Sequence, residues 1–286
     1  MKVRIFELID EKGNNFSLMD IKNNCIFKEP SNLGYGYTSE FQRLGNTYIE
    51  ILRTLNQPQI SGNLEFKNYD NYRKFIDFIE YANSLKWKCT IPYIEGEKTY
   101  YKNVSFQDIG KTDLFTENDK LIVPATFNCI SLWYEENSIK YKIESMEDEM
   151  VWDFCWDSIF NDSNSTSIDY KNEGHVEAPI ELEIDGAVTN PKIEVYIDEK
   201  LYQQVPINTN ILEYEKLLYD SRENAFKIIK VKTDGTEENL FDLDIIEFEN
   251  DNVIRIPKNK VCEIRLRADN TITSAKLIIL PQYKCV

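Results

Sequence analysis

The sequence predicts a mainly β protein built from two modules and one helix. Three observations carry this. Short runs of alternating apolar and polar residues recur along the chain, Tyr and Phe number 17 and 15 against only 10 Gly, and an acidic, patternless stretch separates two series of such runs. The second series restarts between Asn172 and Pro191, where Ile180, Leu182 and Ile184 alternate with Glu181, Glu183 and Asp185. That period describes a strand with one buried and one wet face, and Asp185-Gly186 and Asn190-Pro191 mark turns. The 286 residues fit two domains of ordinary size, placed here at 1–135 and 172–286 with an acidic junction over 136–171.

The first module opens with short strands at 3–9, 16–19 and 25–27, separated by Gly- and Asn-containing breaks. Leu33-Gly34-Tyr35-Gly36-Tyr37 sets two glycines beside aromatics, which predicts a bend or a tight backbone approach. Longer strands follow at 47–55 and 59–66, with Gln57-Pro58 read as the turn between them. Over 70–84, Tyr72, Phe75, Ile76, Ile79 and Ala82 form a single apolar stripe, so a helix capped by Asp70 or Asn71 is expected to pack on a sheet. Residues 85–93 alternate strictly, Glu95-Gly96-Glu97-Lys98 turns the chain, and 100–106 returns as the second strand of a hairpin. A further alternating strand occupies 121–131.

Residues 135–178 hold 12 Asp/Glu against 3 Lys, which places the junction here. Within it, 139–143 reads as a strand, 151–160 has helix-like apolar spacing, and 161–167 reads as a loop. The second module shows strands at 192–197, 201–207, 225–232, 253–256, 261–266 and 275–280, with turns at Asp234-Gly235 and Asp269-Asn270. Leu240, Leu243 and Ile246 fit either a helical turn or a strand. Short strands at near-regular spacing predict a sandwich.

Net charge is -16, and residues 1–134 hold 16 Lys/Arg against 17 Asp/Glu, leaving 17 against 32 for the rest. The halves therefore carry -1 and -15. An acidic second half repels phosphate, which disfavours nucleic acid and anionic membrane as partners. Arg4, Glu7 and Asp10 interrupt any export signal, and no apolar run approaches the roughly 20 residues of a spanning helix, so no membrane insertion is expected.

Chemistry has few candidates. Cysteines 25, 89, 129, 155, 262 and 285 lack metal-site spacing, and Cys89 and Cys129 fall in phase with apolar positions, as buried thiols do. The sole histidine, His175, sits in a Gly-flanked loop without a nucleophile elbow. Glu147-Asp148-Glu149 and the pair Asp242 and Asp244 lack the spacing of a calcium loop and read as solvated. No catalytic residue, metal or cofactor is assigned. Tyr196, Tyr202, Tyr214 and Tyr219 fit packing, or a platform stacking on sugar rings, which leaves a carbohydrate-binding protein recognising cell-wall glycans as the rival reading.

One resemblance goes further. The succession Leu33-Gly34-Tyr35-Gly36, Ile60-Ser61-Gly62-Asn63-Leu64-Glu65-Phe66, the helix with Tyr72 and Phe75, and the two strands after it resembles the distal tail protein of long-tailed, non-contractile phages. In the second half, Asn172-x-Gly174, Ile184-Asp185-Gly186 and Asn190-Pro191 resemble the start of that family's galectin-like sandwich. Ile256-Pro257-Lys258-Asn259 resembles its late Pro-Gly-Asn turn, with Lys258 where a glycine is usual. The resemblance implies a tail-tube-like N-terminal β-sandwich with a helix and a hairpin that contact the next subunit. It also implies a hexameric ring at the virion tail tip, a baseplate hub assembled in the host cytoplasm. The ring would join the tail tube protein to a tail-associated lysin or fibre protein, with the tape measure protein as a further contact, and let DNA pass. Disruption at Gly34, Gly36 or Gly62 is then expected to abolish rings and leave soluble monomers.

Overall fold

The computed structural model describes residues 4–20, 25–92, 97–110, 120–135, 139–144, 165–223, 225–240 and 253–286. The chain forms two compact units, one of residues 1–136 with 283–286, the other of residues 137–282. The first unit contains β1 (Ile5–Asp10), β2 (Asn15–Ser17), β3 (Met19–Asp20), β4 (Cys25–Ser31), β5 (Tyr37–Leu44), β6 (Thr47–Leu55), β7 (Gln59–Phe66), α1 (Tyr69–Glu80), β8 (Leu85–Ile91), β9 (Lys98–Ile109), β10 (Leu121–Cys129) and β11 (Trp133–Tyr134). Its main sheet runs β2-β1-β8-β9-β10-β7-β4-β3. The two ends of this path meet through one residue, because the Leu18 amide donates to Phe6 O at 2.9 Å and Leu18 O accepts from the Phe27 amide at 2.7 Å. The sheet therefore rolls around Trp87, whose ring lies 5.7, 5.2 and 5.0 Å from those of Phe6, Phe27 and Phe127.

The expected hairpin at 85–106 is present, with Leu85 opposite Val104 and Ile91 opposite Lys98. The helix is Tyr69–Glu80, and its cap is Asn68, whose side chain accepts from the Asn71 amide at 3.0 Å. The expected caps were misplaced because the helix starts earlier: Asp70 lies inside the first turn, where its charge favours the positive end of the helix dipole. Tyr72 and Phe75 face inward onto Phe66, at ring separations of 5.6 and 5.5 Å.

The second unit contains β12 (Ile139–Glu144), β13 (Ser165–Lys171), β14 (Ala178–Asp185), β15 (Val188–Thr189), β16 (Lys192–Ile197), β17 (Lys200–Pro206), β18 (Asn210–Ile211), β19 (Lys216–Asp220), β20 (Lys227–Val231), β21 (Glu237–Asn239), β22 (Arg255–Ile256), β23 (Val261–Arg267) and β24 (Ser274–Ile279); β25 (Gln282–Tyr283) spans the return to the first unit. A sheet β12-β24-β14-β19-β20-β21 and a sheet β13-β23-β16-β17 bury one common core. The alternation in β14 is realised as read: Ile180, Leu182 and Ile184 are buried while Glu181, Glu183 and Asp185 stay half-buried. The junction contributes β12 and β13, so residues 165–167, expected as loop, begin a strand paired in register with β23. The expected helix at 151–160, Cys155, Leu243, Ile246 and the carboxylates at 147–149, 242 and 244 lie outside the described residues.

Candidate assembly surface

Between β4 and β7 the chain makes an excursion. These two strands pair with each other, Cys25 opposite Phe66 and Ser31 opposite Ser61, while the residues between them form a separate two-stranded ribbon, β5 with β6. Gln57-Pro58, read as the turn between 47–55 and 59–66, links two strands that pair elsewhere: β6 returns the ribbon, and β7 re-enters the main sheet. Gly45 turns the ribbon tip with a φ of 63°, a conformation glycine adopts without steric cost.

Few apolar side chains on this arm are covered. Phe41, Leu44, Tyr48, Ile49, Ile51, Leu52 and Leu55 are all exposed, Tyr48 at 69%. Alternation and register place Phe41 and Tyr48 on one face and Leu44, Ile49 and Leu52 on the other. The ribbon's charges balance: Glu40 and Glu50 against Arg43 and Arg53. A lone two-stranded ribbon is marginal in water, and large exposed apolar patches mark interaction sites. An arm that is apolar on both faces is suited to burial between two surfaces.

The arm's root is held on both strands. On the outgoing side, the Trp133 indole N–H donates to Leu33 O at 3.1 Å. Tyr35 and Tyr37 meet edge to face at 5.6 Å. Arg53 lies 4.0 Å over the Tyr37 ring, and Lys284 sits 5.5 and 5.2 Å from the Tyr35 and Tyr37 rings and donates to the Tyr37 hydroxyl. On the return side, the Asn56 amide donates to Gly36 O at 2.9 Å, and Gln57 Nε2 donates to Cys129 O at 3.1 Å.

The named glycines divide by role. Gly34 lies at a bend with open space around it, and a Cβ on Gly36 would meet only Asn56 Nδ2 at 3.7 Å. No tight approach occurs at either, so of the two expectations for this stretch only the bend is found. Gly62 is different: a Cβ there would collide with the Phe27 ring and lie 2.8 Å from Lys28 O.

In the second unit the motif residues build corners. Asn172 is fully buried; its Nδ2 donates to Val176 O and Ile256 O, both at 2.9 Å, and its Oδ1 accepts from the Gly174 amide at 2.8 Å. Its backbone carbonyl accepts from Asn259, so the two motifs read at 172–174 and 256–259 form one corner. Lys258 needs no glycine, because the left-handed residue of this turn is Asn259, with φ 57°. A Cβ on Gly174 would lie 2.7 Å from Gln282 O, and one on Gly186 would strike the Leu212 carbonyl. Asn190, with φ 49°, donates to Asp269 at 2.7 Å, and Pro191 O accepts from Ile207.

The proposed tyrosine platform does not form as a unit: Tyr219 is buried, its hydroxyl accepting from the Ile254 amide at 2.8 Å, whereas Tyr202 and Tyr214 are exposed. Burial pushes the Cys25 and Cys89 thiols up to about 12 and about 11, so both stay protonated at neutral pH. Among the described residues no group of three or more His, Cys, Asp or Glu gathers as a metal set, and no helix is long and apolar enough to cross a membrane.

One buried group escaped the sequence reading. Lys102 is fully buried, its ammonium 4.8 Å over the Trp133 ring and beside the Cys129 thiol, and desolvation lowers its pKa against that thiol's opposing pull. Its place between Tyr100 and Val104 on an alternating strand was the available signal.

Comparison with known proteins follows the same division. Residues 5–130 match the family described as distal tail protein, N-terminal domain. The distal tail protein of Lactococcus phage p2 is 26% identical over 133 residues, 45% of this chain and 44% of that one; the distal tail protein of Lactococcus phage SK1 is 27% identical over 138 residues, 46% of each. The match thus spans just under half the length of these curated relatives. Among solved structures, a chain of the phage P2 baseplate in its activated conformation with calcium aligns over 99% of this chain and 100% of its own, with a TM-score of 0.66 at 18% identity. The SPP1 Dit protein, of the hub adsorption apparatus of phages infecting Gram-positive bacteria, aligns over 96% and 98%, with a TM-score of 0.59 at 9% identity. These two likenesses establish the fold along the whole chain, and over residues 5–130 the first unit matches the distal tail protein N-terminal domain family.

Proposed function

We propose that the protein is a structural component of a phage tail tip, a hub whose first unit closes into a ring by inserting its arm against the next copy. The observation that carries this is the arm itself, an uncovered ribbon apolar on both faces in a unit that matches the distal tail protein N-terminal domain family. Head-to-tail docking of one patch onto a different patch of the neighbour generates a closed ring when the rotation closes, and the expected number is six. The near-neutral charge of residues 1–134 supports dense packing, since it gathers little like charge at each contact. The role is assembly and requires no chemical step. The tail tube protein, a tail-associated lysin or fibre protein and the tape measure protein are the proposed neighbours, with the second unit's sandwich as a platform for tip components. The protein would be assembled in the host cytoplasm and reside at the virion tail tip.

Native mass of the full chain at several concentrations, paired with negative-stain images, tests this, because ring closure follows mass action. Closed rings are expected, populated increasingly as concentration rises. A monomer at every concentration, in the presence of a tail tube partner as well, would overturn the ring.

A further inference from the structure

Two residues that grip the arm's outgoing root flank the excursion into the second unit: Trp133, just before the chain leaves the first unit, and Lys284, just after it returns. Trp133 holds the backbone at Leu33. Lys284 braces the side chains beyond it, sitting between the Tyr35 and Tyr37 rings and donating to the Tyr37 hydroxyl. Arg53, from the return strand, covers the Tyr37 ring at 4.0 Å, so two cations and two rings form a cluster that ties both arm strands to residue 284. The segment carrying Lys284 is itself anchored, with the Tyr283 ring 5.3 Å from that of Tyr100 and Val286 packed on the first unit's core. The ammonium is attracted to the Tyr35 ring and, at Tyr37, lies beyond the hydroxyl to which it donates rather than over the ring face.

We propose that Lys284 is a positioning residue for assembly: by bracing Tyr35 and Tyr37 it fixes the direction in which the arm leaves the first unit, so that the arm is already set when it meets its neighbour. This rests on the reading of the ribbon as an assembly arm. A ribbon with no sheet beneath it moves at its root unless the root is clamped, and a pre-set element loses less conformational freedom on docking. Around Tyr35 the backbone is held at Leu33 O by Trp133 and at Gly36 O by the Asn56 amide, and Lys284 adds a side-chain brace to the rings between and beyond them.

The test is amide hydrogen exchange on dilute, monomeric full-length protein, comparing wild type with Lys284→Ala and Lys284→Arg, alongside the concentration at which rings form. In Lys284→Ala, amides of residues 37–55 are expected to exchange about tenfold faster while β8 and β10 stay unchanged. Ring formation should then require about tenfold more protein, the cost of ordering a freed arm. Lys284→Arg should restore both, since a guanidinium can donate to the Tyr37 hydroxyl and stack on the Tyr35 ring. Unchanged exchange in the arm, or faster exchange with unchanged ring formation, would overturn the positioning role. Wild-type protein that never forms rings would sink the ring reading instead, and exchange in the monomer would still decide the clamp.

Discussion

The β5–β6 arm and the β16–β17 hairpin are both antiparallel ribbons with a bulge, yet one is finished and the other is not. In β16–β17, Ile193, Val195 and Val205 point into the second unit's core and are fully buried, while Glu194, on the opposite face and itself buried, accepts from Lys192 and Tyr196. In the arm no residue is buried, and apolar groups occupy both faces. At Ile193, Val195 and Val205 the first ribbon turns its apolar side chains to one wall that its own unit supplies. The second has no such wall within its own unit, and on the proposed role neighbouring copies supply it. Loss of alternation in a strand with high β propensity is therefore informative, since it accompanies an apolar surface that the strand's own unit does not cover.

Substitutions that separate the two kinds of surface sharpen the contrast, and the largest effect should fall on assembly. Ile49→Ser with Leu52→Ser removes two side chains each contributing about 1.5–3 kcal/mol when buried, so ring formation should be lost at concentrations where wild type assembles, while the monomer's melting curve shifts by less than about 0.5 kcal/mol. Native mass and calorimetry read these separately. Gly62→Ala should do the reverse, destabilising the first unit by about 2–4 kcal/mol through the clash with Phe27, so that soluble protein falls before any ring defect appears. Equal yields of soluble Gly62→Ala and wild type would place Gly62 with Gly34 and Gly36.

Asn172→Ala removes three hydrogen bonds from a buried corner and should destabilise the second unit by about 2–3 kcal/mol, leaving exchange in the arm unaltered. Lys102→Met should move stability the other way, raising that of the first unit by about 1–2 kcal/mol, because it replaces a buried amine, flanked by the Cys129 thiol and the Trp133 ring, with an apolar chain of similar length. The sign follows from linkage. The folded-state pKa of Lys102 is lowered, so the folded protein binds fewer protons and wild-type stability drops as pH falls from about 10.4, the unfolded value, to the lowered folded value. The methionine variant should lack that alkaline slope in denaturant titrations.

Much of this organisation was legible in the chain. The strict alternation of β8, β10 and β14, and the stripe of α1, located the buried faces because each packs on a core within its own unit. Strand β5 was missed for the opposite reason: Tyr-Thr-Ser-Glu-Phe-Gln-Arg-Leu has no buried face to impose a period. Local order also misled, since β6 and β7 are neighbours in sequence and pair with different strands. Strand β19 was passed over, although its Leu217 and Tyr219 line the second core. Nothing in the composition of residues 283–286 announces a return to a unit that the chain left at Glu136. Contacts spanning some 250 residues, such as Lys284 with Tyr37, leave no local trace.

That return has a consequence for how copies are made. The arm leaves the ribosome early, whereas Lys284 is translated only after the whole of residues 137–282. Several chains grow side by side on one message, each with an exposed apolar ribbon. On the proposed role of Lys284, the ribbon of each nascent chain stays unbraced at its root until the second unit has been translated.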